Sequence, residues 1–323
     1  MINYSKAENA SIILRLIVGW TYFSALWRRV ALSDKLDMES AGWIGIKFNY
    51  FLPNALGIKP IIEFLVENPD LLQVNMIAFT IIEGVVGLAL MVGFMSRFMS
   101  LAASGLAFGI LLGSGWLGST CLDEWQIGVL GISGGLMLAI LGPGRYSVDS
   151  LFLRSNNVFH RIDRFMWKML SGKKVTIGLA GLAFFITLAT NQIYHGGLWG
   201  PLHNLSKMPE IQVSEATLKG DDLTFGITRV EGIDVYGNFI VGIRISDDSG
   251  NEVVFENGEL QRRLEIKNFR PAKIGFTPYA MTVELGSRGE VRIPDLDSIK
   301  GDNPQITLID VNGKEWRFDV EKE

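Results

Sequence analysis

Cysteine is almost missing from this chain: Cys121 is the one thiol in 323 residues. That excludes a disulfide framework, a cysteine-built zinc cage and any relay that needs a dithiol. Histidine is scarce as well, with only His160, His195 and His203. No P-loop, no glycine fingerprint for dinucleotides after a strand, no zinc-protease helix and no cysteine pair for haem attachment occurs. Metal, flavin, nucleotide and haem chemistry are therefore without support. An excess of positive charge is lacking too, since the net charge is −4, so no basic field exists to attract nucleic acid.

Charge is also absent from long stretches of the first half. Five segments, at about residues 10–27, 74–95, 98–117, 125–141 and 175–192, approach the roughly 20 apolar residues that cross a bilayer. The third and fourth are rich in small residues (Ala102, Ala103, Ser104, Gly105, Gly109, Gly128, Gly131, Gly134, Gly135), which permit close helix packing. The first four read as a transmembrane four-helix bundle and the fifth as an additional transmembrane helix. The first has only Lys6 before it, an arginine within it and no small-x-small cleavage site, so it reads as retained and not as a signal peptide.

Orientation follows from the loop between the fourth and fifth spans. It carries Arg145, Arg154, Arg161, Arg164, Lys168, Lys173 and Lys174 against Asp149 and Asp163. The positive-inside rule makes that loop cytoplasmic. By alternation the N-terminus is cytoplasmic, and Cys121 and everything after the fifth span lie outside, in a multi-pass protein of the cell membrane.

From about Gly220 the pattern becomes short alternating runs with turn signals. Segments 223–230, 239–246, 252–255, 263–266, 281–285, 306–309 and 316–320 read as strands. About seven strands at this spacing indicate an all-β sandwich. Without histidine or cysteine, that domain reads as a structural or docking module, with a lid over a substrate site as the competing role.

The residues able to do chemistry gather at the outer ends of the spans. Arg28 and Arg29 follow Trp27 at the end of the first span. They suit either snorkelling to headgroups or bidentate capture of an oxyanion such as a sulfonate. Glu83 falls well inside the second span, where an unpaired carboxylate costs about 3 kcal/mol. By depth its nearest partner is Arg15, so it is an ion pair fixing the bundle or a proton acceptor. Cys121 precedes Asp123, Glu124 and Trp125 at the start of the fourth span. A helix N-terminus favours both acids and a thiolate, while the acids oppose the thiolate, and the inert and the reactive readings of Cys121 stay open. After the fifth span, the run from Tyr194 to Asn204 mixes His195 and His203 with Trp199, three glycines and a proline. It reads as a bent, non-helical stretch on the membrane surface in which His195 or His203 moves protons. His160 reads as a surface residue.

These residues carry a resemblance. The Arg15-to-Trp20 run, Trp27-Arg28-Arg29, Glu83 followed by small residues, and the run from Trp116 through Cys121 to Trp125 resemble DoxD. DoxD is the large subunit of thiosulfate:quinone oxidoreductase, within the DoxX-like four-helix membrane family. The fifth span, the run from Gly196 to Asn204 and the sandwich resemble DoxA, the small subunit. The chain thus looks like a DoxD–DoxA fusion, with a DoxD-like domain at 1–150 and a basic cytoplasmic linker at 151–174. The fifth helix and outer loop occupy 175–204, and a DoxA-like extracytoplasmic sandwich 205–323.

The resemblance implies oxidation of two thiosulfates to tetrathionate, with electrons passed to membrane quinone as co-substrate. It brings no residue roles, which chemistry must assign. Cys121 is then the nucleophile, with His195, His203, Glu83, Asp123 and Glu124 for proton transfer. Arg28 and Arg29 bind the sulfonate, Trp116 and Trp199 line the substrate site, and Trp20, Trp27 and Trp125 wall the quinone ring. The expected partners are thiosulfate, quinone and the lipid bilayer, and a homo-oligomer is compatible with the sequence. The alternatives are a quinone reductase for another sulfur anion such as sulfite, or a non-enzymatic DoxX-like membrane scaffold or anion-binding protein.

Overall fold

The computed structural model describes residues 5–32, 35–40, 43–117, 123–152, 158–203, 205, 209–231, 239–256, 258–270 and 272–323. The chain divides into two compact units, Met1–Leu205 and Ser206–Glu323. The first is helical with five candidate membrane helices, and the second is built on two β-sheets.

In the first unit, α1 (Lys6–Trp27) starts at a capping box. The Ser5 side chain accepts from the Glu8 amide and Glu8 accepts from the Ser5 amide, satisfying two otherwise orphaned donors. After Trp27 the chain widens into a π-helical turn, Arg28–Leu32. Two short helices, α2 (Ile46–Phe51) and α3 (Lys59–Glu67), lead to α4 (Pro69–Val92), which ends on left-handed Gly93. Then come α5 (Ser96–Ser114) and α6 (Asp123–Leu141), short α7 (Asp149–Phe152), α8 (Val158–Leu170) and α9 (Lys173–His195). Helices α1, α4, α5 and α6 close a four-helix bundle, with the tightest pairings α1 on α4 and α5 on α6.

Small residues make those pairings possible. A Cβ at Gly87 would strike the α1 backbone at Phe23 and Gly19, and one at Gly135 would strike Ser104 and the Ser100 carbonyl on α5. Only glycine lets the backbones meet so closely, and dispersion contacts then replace the hydrophobic drive that lipid does not supply. Helix α9 leans on α6 and α8 while most of its length stays uncovered, as in Ile177, Leu182, Phe184 and Phe185.

One end of the bundle is tied by a buried polar knot. Arg15 donates to the carbonyls of Pro143 and Tyr146, and Arg97 donates to those of Ala139 and Ile140. The Asp149 carboxylate accepts from the amides of Met95 and Ser96 at the start of α5, and Arg97 also pairs with Asp163 of α8 at 3.2 Å. The segment expected to be a linker thus contains a helix that docks on the bundle.

The second unit contains β1 (Glu210–Lys219), β2 (Asp222–Glu231), β3 (Phe239–Ser246), β4 (Glu252–Glu256), α10 (Gly258–Arg263) and β5 (Glu265–Asn268). It continues with β6 (Ile274–Phe276), β7 (Met281–Val283), β8 (Arg288–Ile293), β9 (Gln305–Asp310), β10 (Glu315–Asp319) and β11 (Glu321–Lys322). One sheet runs β11-β1-β2-β8-β5 and the other β10-β9-β3-β7-β6, with β4 also on β3. Their inner faces meet in a single core that includes Ile211, Phe225, Ile243, Val291 and Leu308, which is the sandwich arrangement. The strands exceed the expected seven because β1, β6, β8 and β11 carry weaker alternation, and the expected strand at Arg263 is preceded by the α10 turn.

Candidate functional site

Two constellations lie on the bundle. The first joins the C-terminal end of α5, the N-terminal end of α6, the C-terminal end of α9 and the loop that follows. Cys121, Asn204 and the neighbours 118–120 and 122 lie outside the described residues, as does the side chain of Asp123. Trp116 is buried, and its indole N–H donates to the carbonyls of Gly113 (3.1 Å) and Phe51 (3.3 Å). Glu124 is exposed on the first turn of α6. Trp125 is half-buried and donates to the Thr190 hydroxyl at 2.9 Å.

His195 is the centre of this group and is only 2 % exposed. It is the last residue of α9, so the expectation of a non-helical surface stretch fails there. The helix continues through Tyr194 because the Tyr194 hydroxyl donates to the carbonyls of Leu111 and Leu112, anchoring the last turn on α5. The His195 ring lies edge-on to Trp125 at 6.4 Å between centroids. Its Nε2 stands 3.2 Å from the Gly115 carbonyl, which can only accept, so Nε2 carries the proton. Nδ1 is buried with no hydrogen-bond partner among the described residues.

The chain then turns on left-handed Gly196, and the His203 amide donates back to the His195 carbonyl at 3.1 Å. A Cβ at Gly196 would approach the Pro201 carbonyl and the His203 ring, so glycine is required for this fold-back. Gln192 clamps the loop, accepting from the amides of Leu198 (3.1 Å) and Trp199 (3.2 Å) and donating to the Trp199 carbonyl. Trp199 and Leu202 are left exposed on the loop. Thr190 and Gln192 therefore support the site together with Tyr194, though the expected run began only at Tyr194. Their signal in the sequence is a polar cluster closing an apolar span.

The second constellation lies between α1 and α4. Glu83 is 3 % exposed and its carboxylate sits 2.5 Å from Arg29, which also donates to the Thr80 hydroxyl at 3.0 Å. The expected partner was Arg15. The antiparallel register excludes it: Gly19 faces Gly87, Arg15 lies beside Gly93, and Glu83 comes level with the turn that precedes Arg28. Arg29 reaches back into the bundle from the π-helical turn. The two arginines are engaged differently: Arg28 is exposed and donates to the Ser24 carbonyl, while Arg29 pairs with Glu83. Trp20 and Trp27 are both about half exposed on the outer side of α1, and Trp20 packs on Phe23. His160 contacts Arg164 one turn along α8.

Among the described residues no three of His, Cys, Asp and Glu converge in a way that could hold a metal. The sandwich has an open groove lined by Glu215, Asp319 and Glu321 beside Phe318, whose charge would repel a dianion.

Two family models match the chain in tandem. A family model described as "TQO small subunit DoxD" matches residues 11–179, more than half of the chain, and one described as "TQO small subunit DoxA" matches residues 194–319. Both descriptions name the small subunit, which corrects the large-subunit label expected for the first half. Among solved structures, a cohesin module from Clostridium perfringens ATCC13124 family 33 glycoside hydrolase aligns at 11 % identity. It covers 36 % of this chain and 98 % of its own with a TM-score of 0.17, and bears on neither fold nor function.

Proposed function

The chain belongs to the DoxD family and carries a DoxA module behind it, and on that premise we propose that it is a membrane thiosulfate:quinone oxidoreductase. Two thiosulfates are joined through their outer sulfurs to tetrathionate, and the two electrons released reduce membrane quinone to quinol with the uptake of two protons. The site is the end of the bundle around His195, on the extracytoplasmic side if the basic segment before α9 marks the cytoplasm.

The observation that carries this reading is the buried His195 ring, whose Nε2 is occupied by Gly115 and whose Nδ1 is left as an unmatched base. Gly115 and Trp125, which touch that ring, bracket Cys121 in the sequence by six residues and four. A neutral imidazole with one nitrogen fixed is poised to take a thiol proton at the other. The Cys121 thiolate then bonds to the outer sulfur of one thiosulfate while the pair of electrons passes to quinone. The second thiosulfate attacks that same sulfur, tetrathionate leaves, and the Cys121 thiolate is restored.

His203, folded onto His195, exchanges the proton with water or quinol, with Asp123 and Glu124 beside the start of α6 as further acceptors. Arg28, exposed, is the cation proposed for the incoming sulfonate, whereas Glu83, paired with Arg29, is the proposed proton acceptor within the bundle. Trp116 and Trp199 flank the substrate and Trp125 the quinone. Trp20 and Trp27, on the outer side of α1, suit the approach of quinone from lipid.

The test is quinone reduction by purified full-length protein with thiosulfate, sulfite or sulfide as donor. Thiosulfate-dependent reduction with tetrathionate as product is expected. A preference for sulfite would change the substrate, and no donor-dependent reduction would leave a membrane scaffold. Full turnover in Cys121→Ser would replace the covalent step with simple templating of two thiosulfates.

A further inference from the structure

Helix α8 lies between two membrane helices, since it follows α6 and ends at Leu170, just before α9 begins at Lys173. Both of its ends are therefore held at the same side of the bilayer. One face is docked: Met166 and Leu170 are buried against Ala139 of α6, with Leu101 of α5 and Leu179 of α9 packed around them. Asp163, the only acid of the helix, points to Arg97 at the start of α5.

The remaining faces are distributed by chemistry. Arg161, Arg164 and Lys168 fall three and four residues apart, so they share one stripe, and all three are exposed. Exposed Lys173 and Lys174 extend the positive charge onto α9. Val158, Phe165 and Met169, seven and four residues apart, make an adjacent apolar stripe, with Phe165 66 % exposed. Trp167 is exposed on the opposite flank. With Asp163 engaged by Arg97, the outward charge of α8 is wholly positive.

We propose that α8 is an interfacial helix that binds anionic phospholipid headgroups in the leaflet where α6 ends and α9 begins. Arg161, Arg164 and Lys168 take the phosphates while Val158, Phe165 and Met169 enter the acyl boundary. An amphipathic helix with cations on its polar side and aromatics on its apolar side has this preference whenever it is fixed at the interface. The covalent connection to α6 and α9 fixes it there, so lipid and not a soluble partner meets the apolar stripe. The inference is independent of the redox chemistry and rests on the five membrane helices.

The experiment uses the full chain, with Cys121→Ser as background for labelling. An environment-sensitive fluorophore is attached through Phe165→Cys or Arg164→Cys, in nanodiscs of phosphatidylcholine with phosphatidylglycerol. Doxyl-lipid should quench the label at position 165 several-fold more than iodide does, and iodide should dominate at position 164. In detergent, phosphatidylglycerol should raise the melting temperature, while phosphatidylcholine and inorganic phosphate should not. The charge-reversal variant R161E/R164E/K168E should weaken that response by about tenfold or more. R161Q/R164Q/K168Q, which adds no repulsion, should shift it in the same direction, while the exposed sandwich variant R262E should leave it unchanged. Wild-type phosphatidylglycerol affinity in the glutamine variant, equal iodide access at both positions, or protection of both labels from both quenchers by a covering protein would each overturn the proposal.

Discussion

The helical and the β units differ most in what they leave exposed. In the bundle, Leu130 at mid-span is 70 % exposed, whereas Arg15, Glu83, Arg97 and Asp149 are buried and paired. In the sandwich, most of the wholly buried residues are aliphatic or aromatic, as in Ile211, Phe225, Ile243 and Leu308, with Arg229 and Asp310 as buried charged residues. The contrast identifies the solvent of each unit. Where lipid surrounds the fold, outward apolar surface is at no disadvantage and polar groups must find partners inside. Where water surrounds it, burial of apolar area drives folding. Reactive groups such as His195 can thus be buried in the bundle, while most charges of the sandwich are exposed, Arg229 and Asp310 excepted.

Breaking the Arg29–Glu83 pair should have the largest effect on this comparison. Arg29→Ala or Glu83→Ala should each destabilise the bundle by about 3–5 kcal/mol, because each leaves one buried group without its partner. The double variant should lose far less than the sum, as read by unfolding in detergent; additive losses would mean the pair is not coupled.

A charge placed on the exposed surface separates the two solvents. Leu130→Asp should cost about 2.5–3.5 kcal/mol in membrane insertion, as for a charge at a span centre. Tyr279→Asp, on the sandwich at similar exposure, should stay within about 0.5 kcal/mol in thermal unfolding. Equal effects at the two positions would erase the distinction.

The site residues test how the bundle uses its buried polar groups. Tyr194→Phe removes donation to the Leu111 and Leu112 carbonyls and should destabilise the last turn of α9 by about 1 kcal/mol. Quinone reduction should fall with it, since His195 is the next residue; unchanged turnover would separate the anchor from the site.

The smallest effect lies in the sandwich and depends on pH. The Asp247 carboxyl is held down to about 2 by the Asn251 side chain and by backbone N–H groups of Gly301, Asn251 and Ser249. A depressed carboxylate contributes stability above its unfolded value near pH 4, and loses it as pH falls toward 2. Asp247→Asn should flatten that part of the acid dependence, measured by hydrogen exchange of sandwich amides in the full chain.

Much of this architecture is written in the order of residues. The five spans are legible because long apolar runs have no other use at that length, and the observed helices contain or closely overlap them. Strand β3 is legible from its alternation, and its observed limits are those expected, Phe239–Ser246. Strand β1 is not, because a register break between Ser214 and Thr217, with Glu215 at φ +50°, interrupts the alternation. Strand β8 uses Gly289 as one of its inward positions and so offers only two apolar residues, Val291 and Ile293, to recognise. Helix α8 is hidden by its charges, although Ile162, Met166 and Leu170 recur every four residues.

The candidate site divides in the same way. The types of side chain, the glycines of the 196–200 turn and the scarcity of thiols are properties of the chain alone, and they limit the chemistry before any folding. Which groups meet depends on packing between distant segments. The exchange of Arg15 for Arg29 at Glu83 comes from the register of α1 on α4, and burial of His195 comes from α9 extending one turn further onto α5 and α6. Hydropathy is a sum over neighbours in sequence and is therefore readable locally. An ion pair or a buried imidazole depends on where two backbones approach, and that is settled by interhelical contacts across 50 or more residues.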